Sequence, residues 1–578
     1  MKTLLKTRFV GILVGCLFAF SLFSGAAQSA EPKQVLTISV SSYAKLLEAG
    51  KTVANLVNQG DAFEMFQANF GTLAGTDNTK PLGITLFATD EEFLPVVFLP
   101  VTDLEKLIEQ FPALEDMLEN GEMVSEGKYS FSSPAGDFLL EQKKGWLVLY
   151  PESAPGLLGD DPSKLLNGMD KEYLLAFHVN FENTPKELVL QMIASAEMIL
   201  SMVKPEAAQQ FATVKEQVEL LLDEGKWFLE GFKVDAKTGD IAIHANMELK
   251  TTGTMAEALK YAKTAKTNFI GFYRPDQAAA IIGIGMIPDA QKETQIDMIE
   301  TYFASGKEGL EYEYEDEELE LLQGILDSFE QITVATIKEG KTDIAATWAS
   351  GGEILLAGRV AKGNLLSDAM KKAVKAISEA APEMKDLFKL EYTTFEGYKF
   401  SSVAVPMALL ETIVPNADDM PDALAEKTLC LILGVKDNAV CAVLGTNASK
   451  QETLLKKCIT DSKTAAALPK QTFVASLPLI AGALKSLGLT GVDPQVDAVL
   501  DSLAKAPKDA KITLDNDIVV GSQGIKNNVK FSISGKIISE TAKAIAAAQE
   551  AQMQSSLDSD PFEKSGNGNS EKAKDFNF

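Results

Sequence analysis

Histidine and arginine are scarce in this 578-residue chain. It contains two histidines, His178 and His244, and three arginines, Arg8, Arg274 and Arg359. Histidine carries out much of the proton transfer in enzymes near neutral pH, and arginine provides bidentate binding of anions. Their scarcity argues against the common hydrolases and transferases, so we expect a protein that is not an enzyme of a familiar type.

Motifs for metal binding and common catalysis are also missing. No CxxC, HExxH, regular calcium loop, GxSxG, P-loop or GxGxxG after a strand occurs. The fragments at 201–204 and 237–239 match SxxK and KTG of serine β-lactamases, but they lie at a helix end and in a turn, and the body lacks Ser-x-Asn. The acidic run at 311–320 is interpreted as a solvated helix start. We predict no catalytic residue, no metal and no cofactor.

The two histidines fall on the polar sides of alternating segments. In 173–181 the odd positions are apolar, and His178 lies among the even ones. In 240–249 His244 likewise shares its side with Asn246 and Glu248. We therefore interpret both as residues on the polar faces of half-exposed strands.

Basic residues are outnumbered by acidic ones, 54 to 81, for a net charge of −27. Three of the basic residues, Lys2, Lys6 and Arg8, lie in the amino-terminal segment, and its removal would take the net charge to −30. A strongly negative surface repels phosphate backbones. The sequence therefore predicts no nucleic-acid partner.

Long apolar runs are confined to the first 30 residues. Basic residues precede an apolar stretch from Phe9 to Phe23, and small residues follow it up to Ala30. This pattern is typical of a signal peptide at 1–30, cleaved near Ser29 or Ala30. Cys16 follows Leu-Val-Gly, so lipidation at Cys16 is a minor alternative. We expect no transmembrane span in the mature chain and a periplasmic, envelope-associated or extracellular location.

The chain has four cysteines, of which three lie beyond the signal segment. An odd number in an exported chain leaves at least one thiol without an intramolecular partner. Cys441 is predicted on a strand and Cys458 on the helix that follows it, so we hypothesise a Cys441–Cys458 disulfide. The alternative is that Cys430, Cys441 and Cys458 form no disulfide and act as small buried hydrophobic residues.

Two halves of the chain repeat one another. At an offset of 270, EGKYSFSS at 126–133 falls on EGYKFSS at 396–402, and Pro112 falls on Pro382. An apolar helical stripe is also shared, as residues 104, 107, 114, 117 and 118 fall on 374, 377, 384, 387 and 388. Segments 143–150 and 244–259 resemble 436–443 and 530–545. Because the order is preserved, we predict an internal duplication.

The predicted fold class is α+β with two tandem related lobes. Each lobe is expected to hold an antiparallel or mixed sheet with helices packed on one side. The first lobe spans 31–268 and the second 269–550, with an inserted loop at about 406–426 and a disordered tail at 551–578.

The function expected from these features is that of an exported, non-catalytic binding or scaffold protein with a duplicated structure. Its partner would be a protein or a hydrophobic ligand. One alternative is a carrier of lipids or other hydrophobic molecules, because the predicted helix at 188–203 is rich in methionine. A second alternative is a hydrolase of unfamiliar type.

Overall fold

The computed structural model describes residues 31–70, 73–110, 112–119, 121–133, 136–153, 155–203, 205–311, 316–410, 426–487 and 494–558. In the first half the elements are β1 Lys33–Val40, α1 Tyr43–Leu56, α2 Gly60–Phe70, β2 Leu82–Ala88, β3 Phe93–Pro100, α3 Leu104–Gln110, α4 Pro112–Glu119, β4 Glu122–Ser125, β5 Lys128–Ser133, β6 Gly136–Lys143, β7 Trp146–Pro151, α5 Met169–Glu172, β8 Leu175–Asn180, α6 Lys186–Val203, α7 Pro205–Glu224, β9 Gly225–Val234, β10 Ile241–Leu249 and α8 Thr254–Thr264.

The second half has a similar succession of elements. They are β11 Lys266–Thr267, β12 Ala279–Met286, α9 Asp289–Glu311, α10 Asp316–Glu339, β13 Lys341–Trp348, β14 Ile354–Arg359, α11 Asn364–Ala380, β15 Phe388–Phe395, β16 Tyr398–Pro406, α12 Met407–Leu410, β17 Thr428–Lys436, β18 Ala439–Gly445, α13 Ala448–Asp461, β19 Ala466–Ala467, β20 Gln471–Ser476, α14 Leu477–Leu487, α15 Pro494–Ala504, β21 Lys511–Val520, β22 Ile525–Ile533 and α16 Gly535–Asp558.

The described strands, apart from the small pair β11–β19, form one 20-stranded sheet in which every pairing is antiparallel. From one edge to the other, the strands follow the order 4-5-6-7-3-2-1-8-9-10-22-21-20-12-13-14-18-17-16-15. The prediction of a separate sheet in each lobe was therefore wrong. β10 pairs with β22 over nine residues from each strand and joins the two halves.

The order of strands read inward from one edge repeats the order read from the other edge. The strands 4-5-6-7-3-2-1-8-9-10 correspond in chain order to 15-16-17-18-14-13-12-20-21-22. Within the large sheet, the first and the eighth strands of each half are β1 and β8, and β12 and β20. Each of these four strands is followed by a pair of helices and then by a two-stranded hairpin. The two halves of the sheet therefore share one connectivity.

Local sequence explains several element boundaries. Ser42 accepts a hydrogen bond from the Lys45 amide and caps α1, and Asn447 accepts one from Lys450 and caps α13. The repeated glycines Gly127 and Gly397 have φ of +73° and +78°, a conformation that favours glycine, and each ends a turn before a strand.

Helices pack on both sides of the sheet, so the prediction that they pack on one side was wrong. Leu107 of α3 packs with Leu147 and Leu149 on one side. Leu455 of α13 packs with Leu355 and Val443 on the other side. Strand β7 shows why, because its residues are buried on both of its faces and need cover from both sides.

Two predicted boundaries also differ from the structure. The strand predicted at 471–480 ends at Ser476, because Pro478 enters the first turn of α14, where proline is tolerated. The predicted disordered tail begins inside α16, which extends to Asp558, and residues 559–578 lie outside the described residues. Within the described ranges, no helix is both long and apolar enough to cross a membrane.

Candidate functional site: an exposed apolar face

One row of directly opposed residues crosses thirteen neighbouring strands and contains only apolar side chains. We call the side of the sheet that carries this row the apolar face. The row consists of Leu82, Val40, Leu175, Phe232, Ile243, Phe531, Leu514, Phe473, Ile281, Ala346, Leu356, Ala442 and Leu433.

None of these thirteen residues is buried. Three of them are among the most exposed large apolar residues of the chain, with exposed fractions of 47% for Leu175, 44% for Ile281 and 50% for Leu356. Scattered exposed apolar residues are normal in soluble proteins, whereas a contiguous exposed surface of this kind marks an interaction site.

The next row on the same face is apolar as well. It runs through eleven strands from Val234 to Val403 and includes Ile241, Ile533, Trp348 and Leu431. Since both rows are apolar and neighbouring strands are in register, they form a continuous apolar band, in which Ala475 of the second row is buried.

The opposite face of the central strands is polar. On β10 and β22 it carries His244, Asn246, Asn528 and Lys530, which alternate with residues of the apolar face. Alternation of this kind is typical of a sheet with one face in water and the other packed on a core. Here the described residues form a core cluster at one end of β21 and β22 on the apolar side, and the middle of that side is half exposed.

Over β3 and β7 the apolar face is covered by α3, whose Leu107 packs with Leu147 and Leu149. Along the row itself, α8 and α6 contact the apolar face near strand ends. In α8, the residues Ala256 and Leu259 pack on Ile525 at one end of β22. In α6, Leu188 clusters with Leu86 near one end of β2. The middle of the band stays half exposed in the described part of the chain because these helices contact strand ends rather than the row itself.

The two histidines lie on the face opposite the apolar face, as their sequence pattern predicts. His178 lies 6.2 Å from Trp227 between ring centroids, and His244 lies 5.8 Å from Tyr173. Burial lowers the pKa of His178 below its ordinary value. Burial, with Lys233 and Lys530, also lowers the pKa of His244. Both are half-buried packing residues.

Cys430, Cys441 and Cys458 are buried and free in the structure. Cys441 and Cys458 belong to the same core cluster under α13. Burial raises the pKa of Cys441 to about 12 and that of Cys458 to about 11, so both thiols are protonated near neutral pH. A Cys441–Cys458 disulfide stays a prediction, and Cys16 lies outside the described residues.

Other segments singled out in the sequence are distributed over the fold. The methionine-rich segment forms α6, in which Met192 packs against a core cluster and Met198 is exposed. Of the inserted loop, 407–410 form α12 and 411–425 lie outside the described residues. The KTG fragment lies in the turn between β9 and β10. The SxxK fragment spans the end of α6, and Lys204 is outside the described residues.

A cavity of about 310 Å³ lies beside the 3₁₀ turn Ile270–Phe272. Arg274, Lys457, Cys458 and Asp461 line it. Lys457 and Asp461 form an ion pair at 2.6 Å, so that part of the lining is neutralised. Sequence patterns did not point to this cavity, because its residues lie far apart along the chain.

Among the described residues, no group of three or more His, Cys, Asp or Glu side chains is placed to hold a metal ion. Comparison of the chain with family models, with curated proteins and with solved structures finds no match. The functional interpretation therefore rests on the geometry of the fold.

Proposed function

We propose that this chain is an exported, non-catalytic binding protein that carries lipids or other hydrophobic molecules on its apolar face. The amino-terminal pattern supports export to the periplasm, the outer envelope or the medium. The observation that carries the proposal is the row of thirteen apolar residues, none of which is buried.

We also propose that the chain arose by internal duplication and that its halves meet at β10 and β22. The repeated strand order supports this origin. The alignment of 244–259 with 530–545 supports it independently, because it matches His244 with Lys530, and these two residues are cross-strand partners. A two-fold relation between identical units requires such pairing at its axis. Duplication would double the length of the apolar face.

The size of the apolar face favours a ligand larger than one small molecule. Thirteen strands at about 4.8 Å spacing extend over roughly 58 Å. The hydrocarbon core of a bilayer, two acyl chains thick, is about 30 Å. One acyl chain is therefore about 15 Å long, and the row has room for several chains placed end to end.

The helix pairs that follow the strands supply further exposed apolar side chains. Met65 in α2, Met198 in α6 and Met298 in α9 have exposed fractions of 67%, 56% and 63%. Methionine is flexible and polarizable and is common on surfaces that bind varied apolar ligands. Their distribution over three helix pairs favours a carrier over a site for one rigid ligand.

The proposal is tested by extracting the natively purified protein with organic solvent and identifying released lipids by mass spectrometry. A fluorescent fatty-acid analogue is then titrated into the delipidated protein. We expect Leu356→Glu and Leu175→Glu each to weaken binding of this probe about tenfold or more, because a charge is placed against acyl chains.

Val519→Glu is the matched control. Val519 has the same exposed fraction as Leu175, 47%, but it alternates with Leu514 and Ile518 and so lies on the opposite face. If the probe binds equally to Leu175→Glu, Val519→Glu and the unmodified protein, the apolar face is not the binding site. Absence of released lipid together with absence of probe binding contradicts the carrier function.

The native mass of the exported protein tests the processing that we expect. A mass matching the chain cut near Ala30 supports a soluble carrier. A mass that includes a lipid on Cys16 would instead tether the protein to a membrane.

A further inference from the structure

A second cleft, which we call the 359–436 cleft, has a volume of about 280 Å³ and lies in the second half. It is bounded by the turn Ile270–Phe272, the β15–β16 turn, the β17–β18 turn and the end of α13. Buried side chains form its floor, namely Phe269, Phe272, Tyr398, Ala439 and Ile459. An aromatic floor of this kind provides apolar contact area for a ligand.

Cations outnumber carboxylates around the 359–436 cleft. Arg359, Lys436 and Lys463 line it, and Glu396 is the carboxylate among the lining residues. This lining is positive although the whole chain has a net charge of −27. An excess of positive charge in a cleft favours anionic ligands.

Two of these cations have donors left for a ligand. The Lys436 ammonium forms no ion pair with a described residue and lies 4.4 Å from the centroid of the Tyr398 ring. Nε and Nη2 of Arg359 both donate to one oxygen of Glu339, at 3.2 and 2.8 Å, which leaves Nη1 for another partner. Lys463 is already paired with Glu396 at 2.8 Å.

We propose that the 359–436 cleft binds a small organic anion with an apolar body. Lys436 and Nη1 of Arg359 bind the carboxylate or phosphate group, and the buried floor contacts the body of the ligand. Arginine and lysine suit this role because charge-assisted hydrogen bonds to anions are the strongest available to side chains. The site is separate from the apolar face, so it does not depend on the proposed carrier function.

The corresponding hairpin of the first half is followed by different elements. There Lys143 ends β6 at the turn before Trp146, as Lys436 ends β17 before Ala439. Short 3₁₀ turns, Pro155–Leu157 and Pro162–Leu166, follow that hairpin, whereas the long helix α13 follows the second one. Lys143 therefore provides a matched control for Lys436.

The test is isothermal titration with three probes: phenyl phosphate, inorganic phosphate and phenol. We expect phenyl phosphate to bind in a one-to-one ratio, more tightly than either of the others. Lys436→Gln should weaken its binding about tenfold, Lys436→Arg should largely retain it, and Lys143→Gln should leave it unchanged. Raising the salt from about 50 mM to about 500 mM should weaken binding to the unmodified protein.

Three results would overturn the proposal: no binding of phenyl phosphate, equal binding in Lys436→Gln and the unmodified protein, or equal loss in Lys143→Gln. Equal affinity for phenyl phosphate and inorganic phosphate would overturn the proposal that the ligand has an apolar body. Leu356→Glu should bind phenyl phosphate like the unmodified protein. Retained phenyl phosphate binding together with failed lipid binding would reject the carrier function alone.

Discussion

The two halves of the sheet have the same strand order but differ in what lies over the strands. After β18 the second half places the 14-residue helix α13 against its core, whereas after β7 the first half has short 3₁₀ turns. Both described cavities and both arginines beyond Arg8 lie in the second half. The comparison indicates that the buried patterns of the two halves support the same scaffold, while the connecting segments differ and line cavities in one half.

Histidine and cysteine are also divided between the two halves beyond the amino-terminal segment. Both histidines lie in the first half, and Cys430, Cys441 and Cys458 lie in the second. The halves can therefore be followed separately by chemistry specific to one residue type. Four predictions test these differences between the halves, beginning with the largest expected effect.

Thiol labelling should report the unfolding of the second half. Burial raises the pKa of Cys441 to about 12 and that of Cys458 to about 11, so we expect iodoacetamide at pH 8 to label native protein at least about a thousandfold more slowly than unfolded protein. Mass spectrometry counts the labels. Three labels in unfolded, unreduced protein mean free thiols, whereas a single label on Cys430 would support the Cys441–Cys458 disulfide. Rapid labelling of native protein would contradict the burial of these residues.

Truncation of one large core residue in each half should test whether the halves unfold together. Phe98 and Phe400 are 1% and 0% exposed, so Phe98→Ala and Phe400→Ala should each lower the free energy of unfolding by about 3–5 kcal/mol. Because β10 pairs with β22, we expect one transition in denaturant for each variant. If Phe98→Ala loses part of its circular dichroism signal in denaturant while its cysteines stay protected from labelling, the first half unfolds before the second. The halves would then be independent.

The helices that follow the last strand of each half are held by different acceptors. The buried Glu224 carboxylate accepts hydrogen bonds from the Thr254 and Met255 amides at 2.6 and 2.7 Å. Asp240, which is exposed, accepts one from Gly535 at 2.7 Å. We expect Glu224→Ala to cost about 1–3 kcal/mol of unfolding free energy and Asp240→Ala about 0.5–1 kcal/mol.

Denaturant titration measures both values, and Glu224→Gln, which keeps an acceptor oxygen, should be less destabilising than Glu224→Ala. Equal effects of Glu224→Ala and Asp240→Ala would mean that burial does not distinguish the two helix starts. The result would then weaken the contrast between the halves at their junction.

Acid should destabilise the first half through its histidines. Burial holds the pKa of His178 in the folded state below the unfolded value of about 6.5, so the unfolded chain binds the proton first as the pH falls. The stability associated with neutral, buried His178 is therefore fully present above about pH 6.5 and declines as the pH falls below that value. His178→Gln should therefore show a smaller loss of stability between pH 7.5 and 5.5 than the unmodified protein, as measured by denaturant midpoints. An identical pH dependence would show that His178 titrates alike in both states.

Much of the local structure could be predicted from the sequence. Strands at 35–40 and 278–287, a helix within 42–58 and the break at Pro112 all correspond to elements of the structure. These features depend on alternation, helical periodicity and proline chemistry, which act within a few residues. Both copies of the Glu-Gly pair are turns for the same reason.

The two proposed binding surfaces could not be predicted in the same way. The apolar side of 173–181 has the pattern of a core strand, yet Leu175 and Phe177 are exposed, with exposed fractions of 47% and 36%. The pattern states which residues share a face and does not state whether a helix covers that face. Likewise, Arg359 and Lys436 are distant along the chain and come together only through the β14–β18 and β17–β18 pairings.

The sequence by itself determined the repeat, the alternation of the strands, the excess of negative charge and the scarcity of histidine and arginine, because each of these is a property of local order or composition. Tertiary structure alone decided that the halves share one sheet, that the row of thirteen apolar residues stays at least partly exposed and that cations gather around one cleft. These outcomes depend on pairings between residues hundreds of positions apart, such as His244 with Lys530. No local pattern specifies which distant strand completes an open edge.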